Sequence, residues 1–190
     1  RSSDGNTDWR SANGTLGFTH VVEKSRNEWT FELRHSESPS RSSTDATQHL
    51  LAPVDTLGQV SRQRGNDRTR ERSAQFDDTY PLGKKGKLEL GYRGAERRVA
   101  SANELSYSTG GPAGFGSSYV HRELFHSGYL TAGSTLGKFS LQAGLRAEAA
   151  NTTFDVLRRA ASYDNDYRSV FPSANASWDF GKGRTLRLTY

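Results

Sequence analysis

The sequence predicts an all-β fold, an antiparallel up-and-down transmembrane β-barrel in which about eight strands form part of a larger barrel. The first supporting observation is a period-two alternation, clearest over 139–148, where Leu141 and Leu145 share one parity and Arg146 and Glu148 the other. Such alternation places apolar and charged side chains on opposite faces of a strand. The second observation is that short and long connections alternate along the chain. Outer-membrane barrels have this property, with short turns at one end and long loops at the other.

Composition agrees with this fold and excludes several other classes. Of the 190 residues, 33% are hydrophobic and none is Cys. The absence of Cys removes disulfides, thiolate metal sites and Cys nucleophiles. No run approaches the roughly 18 apolar residues of a membrane helix, whereas a barrel strand needs only about 9–11 alternating residues. The net charge of +5 lies largely in polar stretches without regularly interleaved aromatic residues, so no nucleic-acid partner is predicted.

The alternation predicts eight strands along the chain, at about 15–23, 28–36, 70–80, 87–99, 117–132, 138–150, 167–179 and 184–190. Gly or Asn residues, which tight hairpins favour, occur in the short connections 24–28, 82–86, 133–138 and 180–184. The long connections 37–69, 100–116 and 151–166 are polar and are predicted to be outer loops. No change in composition separates two domains, so residues 1–190 are predicted to form one barrel segment.

Charges in the predicted strands oppose the parity of the large apolar residues. In the second strand Glu32 opposes Phe31, and in the eighth strand Arg187 opposes Leu186. A charge facing lipid near the bilayer centre costs about 2–4 kcal/mol, whereas a charge facing a water-filled lumen stays solvated. The polar parity is therefore predicted to line the lumen. The candidate lumen-facing residues are Glu32, Arg34, Glu89, Arg93, Gln142, Arg146, Glu148, Asn175 and Arg187.

One residue departs from this rule. Asp78 shares its parity with Phe76 and Tyr80 in the third predicted strand. Either the phase of the strand slips here or Asp78 lies close to a membrane interface. The sequence leaves both alternatives open, and with them the question of whether this carboxylate faces lipid.

No catalytic, cofactor-binding or metal-binding set is predicted, so the chain is not expected to be an enzyme. His121 and Glu123 share a strand face while His126 lies on the other, which is poor geometry for three ligands on one metal. The Ser-rich stretch 36–43 has no nucleophile elbow, and the glycine-rich stretch 110–116 does not match a phosphate-binding loop that leads into a helix.

Several stretches resemble the β-barrel of TonB-dependent outer-membrane receptors, in particular the outer-membrane β-barrel subgroup. They are the hairpin at 79–93, the strand at 137–148 with its LQAGLRAE motif, the FPS strand at 170–180 and the LRLTY strand at 185–190, with a weaker match at 123–129. Their order and spacing also fit, over about 28–36 and 70–190. The segment 37–69 has no match, Asp78 replaces an expected aromatic residue, and no plug domain, TonB box or carboxy-terminal aromatic signature is visible.

The resemblance implies a receptor in the cell outer membrane that takes up a scarce ligand, such as a siderophore, a cobalamin-like molecule or a glycan. It implies no cofactor. The implied partners are outer-membrane lipid and lipopolysaccharide, the TonB complex through a plug not present in this chain, and the small-molecule or glycan ligand. Ligand contacts would lie on the long outer loops and on the lumen-facing side chains.

Two other functions stay open at this level. A non-transporting structural or adhesive outer-membrane barrel would show the same strand pattern without a plug upstream. A soluble β-sandwich or lipocalin-like binding protein would instead turn the parity of Leu88 and Leu141 towards a shared core.

Strand direction predicts that the chain is a piece of a barrel. If 24–28 is a periplasmic turn, the first strand descends to the periplasm, and the eighth strand ends at Tyr190 heading outwards. A complete bacterial barrel normally has both termini on the periplasmic side. We therefore expect a segment whose first and last strands expose unpaired edges when it is isolated.

Overall fold

The computed structural model is a single antiparallel β-sheet, and it describes residues 2–22, 27–50, 56–108 and 114–190. A 3-10 turn, Leu157–Arg159, lies between the seventh and eighth strands. Within the described ranges, no helix has the length and hydropathy needed to cross a membrane. The strands are β1 (Ser2–Trp9), β2 (Ala12–Val22), β3 (Asn27–Leu50), β4 (Thr56–Leu82), β5 (Gly86–Tyr107), β6 (Phe115–Leu136), β7 (Phe139–Val156), β8 (Ala161–Gly181) and β9 (Arg184–Thr189).

The sheet is an up-and-down meander with two open edges. From β3 to β9 each strand pairs with its neighbours in the chain. β1 and β2 both pair with β3, along 40–47 and 27–37, so together they form one long strand interrupted at Arg10 and Ser11. In the described part of the chain, this composite strand and β9 each pair on one side only. Such an open sheet is the arrangement of a partial barrel.

Each of the eight predicted strands corresponds to an observed strand, from β2 to β9. The sequence does not predict β1, because 2–9 lacks apolar alternation and all of its residues are exposed. Pairing with 40–47 of β3 makes this segment a strand. The prediction of an all-β antiparallel fold is confirmed.

The three predicted long loops are largely strand, which corrects the sequence prediction. Most of 37–69 continues β3 to Leu50 and β4 from Thr56, and the other two connections shrink to 108–114 and 157–160. The extensions of β3 and β4 are mostly polar on both faces, so they carry no alternation by which the sequence could identify them as strands. Backbone pairing nevertheless continues along them, because an antiparallel ladder needs hydrogen bonds rather than a buried face.

Tight turns close the opposite end of the sheet. Gly137 and Lys138 connect β6 to β7, and Lys182 and Gly183 connect β8 to β9. Lys182 has a φ of 54° and Gly183 a φ of 75°, and positive φ at both central residues is the type I′ turn that suits a twisted hairpin. Residues 83–85 form the turn between β4 and β5. The predicted turn at 24–28 falls mostly outside the described residues.

One face of the sheet, here called the belt face, carries an apolar belt beside the tight turns. On this face Phe31, Phe76 and Tyr92 lie in register on β3, β4 and β5. On β4 the belt runs from Ala74 to Leu82, about 27 Å along the strand, or roughly 20 Å along the membrane normal at the usual barrel tilt. The larger members are Leu16, Phe18, Trp29, Phe31, Leu33, Phe76, Tyr80, Leu82, Leu88, Leu90, Tyr92, Leu130, Leu136, Phe139, Leu141, Leu145, Val170, Pro172, Trp178, Leu186 and Leu188.

The belt has no protein layer packed against it in the described part of the chain. Ala150 is the one buried hydrophobic residue there, and large side chains such as Leu16 and Leu188 are each 66% exposed. A β-sandwich would cover this face with a second sheet, whereas the described strands form one sheet. The dimensions and the exposure of the belt are those of a lipid-facing barrel surface.

Asp78 lies in the middle of this belt. It pairs with Trp29 on β3 and with Leu90 on β5, and the register of β4 is continuous through this position. The strand therefore does not slip, and the residue is four positions away from both Ala74 and Leu82 rather than at the edge of the belt. The residue is half-buried, and its Oδ1 is buried and has no hydrogen-bond partner within the described residues.

On the opposite face, here called the polar face, Tyr129 lies across Gly91 and links three strands. The Tyr129 hydroxyl donates to Oδ1 of Asp77 at 2.7 Å, and Nε2 of Gln75 donates to Oδ2 of Asp77 at 2.7 Å. A Cβ at position 91 would overlap both the Tyr129 ring and the Asp77 carboxylate. The glycine is therefore what allows a side chain of β6 to reach β4 over the backbone of β5.

The Gly91→Ala variant should destabilise the sheet by about 1–3 kcal/mol, because the added methyl group displaces the Tyr129 ring. The measurement is urea-induced unfolding of the intact protein in detergent micelles. Gly128→Ala is the matched control, since its Cβ would meet only the Gly91 carbonyl oxygen, at 3.9 Å. Equal stability of the two variants would contradict the bridging role of Tyr129.

The Asp78→Leu variant should stabilise the folded protein in a bilayer by about 1–2 kcal/mol, because it removes a carboxylate from the lipid-facing belt. Unfolding in lipid vesicles measures the change. The neighbouring substitution Asp77→Leu is the control on the polar face, and it should destabilise because Tyr129 and Gln75 lose their acceptor. Destabilisation of similar size in both variants would show that Asp78 does not face lipid.

Candidate functional site

The strand register brings all nine sequence-predicted residues onto the polar face. One row crosses β3 to β7 through Glu32, Gln75, Arg93, Ser127 and Glu148, each paired with the next. The other candidates lie in neighbouring rows of the same face, and these are Arg34, Glu89, Gln142, Arg146, Asn175 and Arg187. That they line a lumen stays a prediction.

Several of these charges are paired along their own strands. Nε of Arg34 lies 2.6 Å from Oε1 of Glu32, and Nη2 of Arg146 lies 2.5 Å from Oε1 of Glu148. A third pair joins Nζ of Lys87 to Oε1 of Glu89 at 2.9 Å. Exposed pairs of this kind contribute only about 0–1 kcal/mol to stability. Their main effect is to keep these parts of the polar face close to electrically neutral.

Two candidate arginines carry charge that no such pair balances. Arg93 and Arg187 form no ion pair with any residue in the described ranges. Arg187 lines a concave region of about 770 Å³ near the tight turns, together with Gln142 and Asn175. Lys84 and Lys85 line the same region, and none of the described residues that line it is acidic. This end of the sheet is therefore suited to anionic groups.

An aromatic patch lies on the polar face beyond the charged rows. It is nearer the end of the sheet opposite the tight turns, where the long hairpins β3–β4, β5–β6 and β7–β8 close. His121, Phe154 and Tyr163 follow one another in register on β6, β7 and β8. The rings of Tyr119 and Phe154 stack with centroids 5.1 Å apart, and the ring of His121 lies 6.2 Å from that of Phe154. Phe125, with Tyr167 two strands away, extends the patch towards the charged rows.

The sequence by itself does not indicate this patch, because charge and not aromatic character distinguishes the parity predicted to face the lumen. Phe154 and Tyr163 also fell within 151–166, which was predicted to be a loop. Part of the patch could have been identified from parity, because Glu123 shares its parity with Tyr119, His121 and Phe125.

The polar face has the chemistry of a binding surface. Aromatic rings contact planar groups and the apolar faces of sugars, while neighbouring hydroxyl and charged groups fix orientation. In the part of the chain that the structure describes, no three His, Asp or Glu side chains are grouped as a metal site requires. His126 lies on the belt face, where its Nδ1 is 2.6 Å from the Tyr92 hydroxyl, so the sheet separates it from His121 and Glu123.

Beyond the apolar belt, the belt face becomes charged and its carboxylates bind arginines. Nε and Nη2 of Arg62 donate to the two carboxylate oxygens of Asp45 at 2.7 and 2.8 Å. This hydrogen bonding lowers the pKa of Asp45 and raises the pKa of Arg62. A hydrogen bond from Arg68 similarly lowers the pKa of Glu37. The pKa of each carboxyl group is therefore below its ordinary value, and each stays ionised to a lower pH than it would without its arginine.

Comparison with known proteins identifies the family. Residues 20–190 match the model of the outer membrane protein beta-barrel family. A search of curated protein sequences gave no match.

Solved outer-membrane structures share the fold. The ferric citrate transporter FecA in its unliganded form superposes with a TM-score of 0.64 at 13% identity, over 95% of this chain and 27% of that one. The siderophore receptor PiuA from Acinetobacter baumannii gives 0.61 at 13%, over 93% and 31%. The RagAB peptide importer in its open-open state gives 0.70 at 12%, over 98% and 22%.

At such identities the likeness shows the fold alone, which is that of part of an outer-membrane β-barrel. The chain spans 22%, 27% and 31% of the RagAB, FecA and PiuA chains. The family match covers most of the sequence and agrees with the open antiparallel sheet and its apolar belt. This outer-membrane chain therefore belongs to the outer membrane protein beta-barrel family.

Proposed function

We propose that the chain is a non-enzymatic segment of an outer-membrane receptor that takes up a scarce ligand, with energy supplied by the TonB complex through a plug outside this chain. The observation that carries this proposal is the polar face, where the aromatic patch, the paired charges and the cationic concave region follow one another from the long hairpins to the tight turns. A face that opposes a lipid-facing belt in a barrel is its lumen.

The polar face favours a ligand with ring systems and with hydroxyl or anionic groups. The stacked pair Tyr119–Phe154 and the exposed ring of Tyr163 offer aromatic contact area. On the same face Arg93 is a cation in the row next to that of Phe125, between the uncharged Gln75 and Ser127. Many siderophores, cobalamin-like molecules and glycans combine such groups. Solved structures of the same fold include a siderophore receptor and a ferric citrate transporter, which supports the first of these classes.

Energised uptake predicts two separable measurements in cells that produce the intact receptor. Binding and uptake are followed with ferric citrate, a ferric tris-catecholate, cyanocobalamin and a set of oligosaccharides as probes. At least one probe should bind and accumulate, and collapse of the proton motive force should stop accumulation while binding persists.

The Phe154→Ala variant should weaken binding of that probe by about two- to tenfold, since an aromatic contact contributes about 0.5–1.5 kcal/mol. The control is Phe31→Ala, which truncates an equally large ring on the belt face and should leave binding unchanged. If no probe accumulates and the two variants behave alike, the structural or adhesive barrel is the better description.

A further inference from the structure

Three arginines lie side by side on the belt face, beyond the apolar belt. The register pairs Arg70 on β4 with Arg98 on β5, and Arg98 with Arg122 on β6. We call these residues the arginine row. Side chains paired in this way have Cβ atoms about 4.5–5.5 Å apart, and like charges placed so are destabilising. An arrangement that repels itself in this manner needs an anion to balance it.

Carboxylates of the chain balance the arginine row only in part. Nε of Arg122 lies 2.8 Å from Oε1 of Glu96, and Nη2 of Arg70 lies 3.5 Å from Oε1 of Glu37. Glu37 is shared, because Arg68 binds the same oxygen. Arg98 is exposed and forms no ion pair within the described ranges.

The neighbouring rows add to the positive charge rather than cancelling it. Arg72 and Arg68 flank Arg70 on the same face of β4. Together with the arginine row they make five arginines on β4 to β6, against the carboxylates of Glu37 and Glu96. The other carboxylates of this part of the belt face are those of Asp155, Asp164 and Asp166, on β7 and β8. The excess of positive charge is therefore local to β4, β5 and β6.

The position of the arginine row relative to the belt identifies the kind of anion. On the belt face of β6, Leu124 lies two residues after Arg122, and on β4 Ala74 lies four residues after Arg70. The Cα atoms of Arg122 and Arg70 therefore lie about 5–10 Å beyond the belt along the membrane normal, at headgroup depth. A ligand that meets both surfaces has acyl chains against the belt and an anionic headgroup against the arginines.

We propose that the arginine row binds the phosphate groups of the lipid anchor of lipopolysaccharide in the outer leaflet. Arginine binds phosphate through two parallel hydrogen bonds, which gives geometric specificity as well as charge. The row lies on the long-hairpin side of the belt, and in an outer-membrane barrel that side faces outwards. This site is independent of ligand uptake, because a barrel without transport activity would bind the same lipid.

The direct test is binding of diphosphoryl lipid A to the intact receptor in detergent, measured against monophosphoryl lipid A, phosphatidylglycerol and inorganic phosphate. Diphosphoryl lipid A should bind most tightly. The triple variant Arg70→Gln, Arg98→Gln, Arg122→Gln should weaken its binding at least tenfold. Wild-type affinity in this variant would overturn the proposal. So would equally tight binding of phosphatidylglycerol, or displacement of lipid A by millimolar inorganic phosphate, which would indicate a general anionic site.

A matched pair of single variants keeps the test valid if the triple variant does not fold. Arg98→Gln changes the centre of the row, whereas Arg97→Gln removes the same charge from the adjacent residue on the polar face. Arg98→Gln should weaken lipid A binding several-fold and, in lipid-A-free detergent, raise the melting temperature by relieving repulsion. Arg97→Gln should leave lipid A binding unchanged. Identical behaviour of the two variants in both measurements would overturn the proposal.

Discussion

The structure depends on one constraint, namely that the two faces of a single sheet meet different solvents while every backbone polar group is paired. In lipid an unpaired backbone group is costly, so a chain that crosses with strands needs continuous ladders. From β3 to β9 the chain meets this requirement by pairing each strand with its sequence neighbours. The apolar belt then needs no protein layer against it. This is why the described chain has almost no buried hydrophobic residue and yet a regular fold.

A continuous register has consequences for single residues. A slip of one residue would move every side chain of β4 to the other face, including Phe76 and Tyr80. The register that keeps these aromatic residues in the belt therefore keeps Asp78 there as well. Retaining one carboxylate in the belt costs less than reversing a whole strand. Gly91 shows the complementary case, since the missing side chain on β5 allows Tyr129 to bind Asp77 on β4.

The arginines of the two faces are arranged differently relative to carboxylates. On the polar face, Arg34 and Arg146 each bind a carboxylate two residues away on the same strand. Arg93 and Arg187, which are unpaired within the described ranges, lie apart from one another. On the belt face, Arg98 lies between two other arginines and has no such partner among the described residues. The first arrangement suits a lumen wall that interacts with many groups weakly. The second concentrates charge at one depth, next to the hydrocarbon boundary.

The period-two alternation by itself determined the strands β2 to β9 and placed residues as far apart as Glu32 and Arg187 on one face, because parity is a local property of extended backbone. Alternation arises only where the faces meet different solvents. The polar extensions of β3 and β4, and β1 beside them, are therefore recognised only as paired strands in the tertiary structure.

The register also decided which side chains of neighbouring strands lie close together. Neither the aromatic patch nor the register of Arg70 with Arg98 and Arg122 follows from their separate positions in the sequence, because hairpin pairing alone decides which residues of neighbouring strands lie side by side.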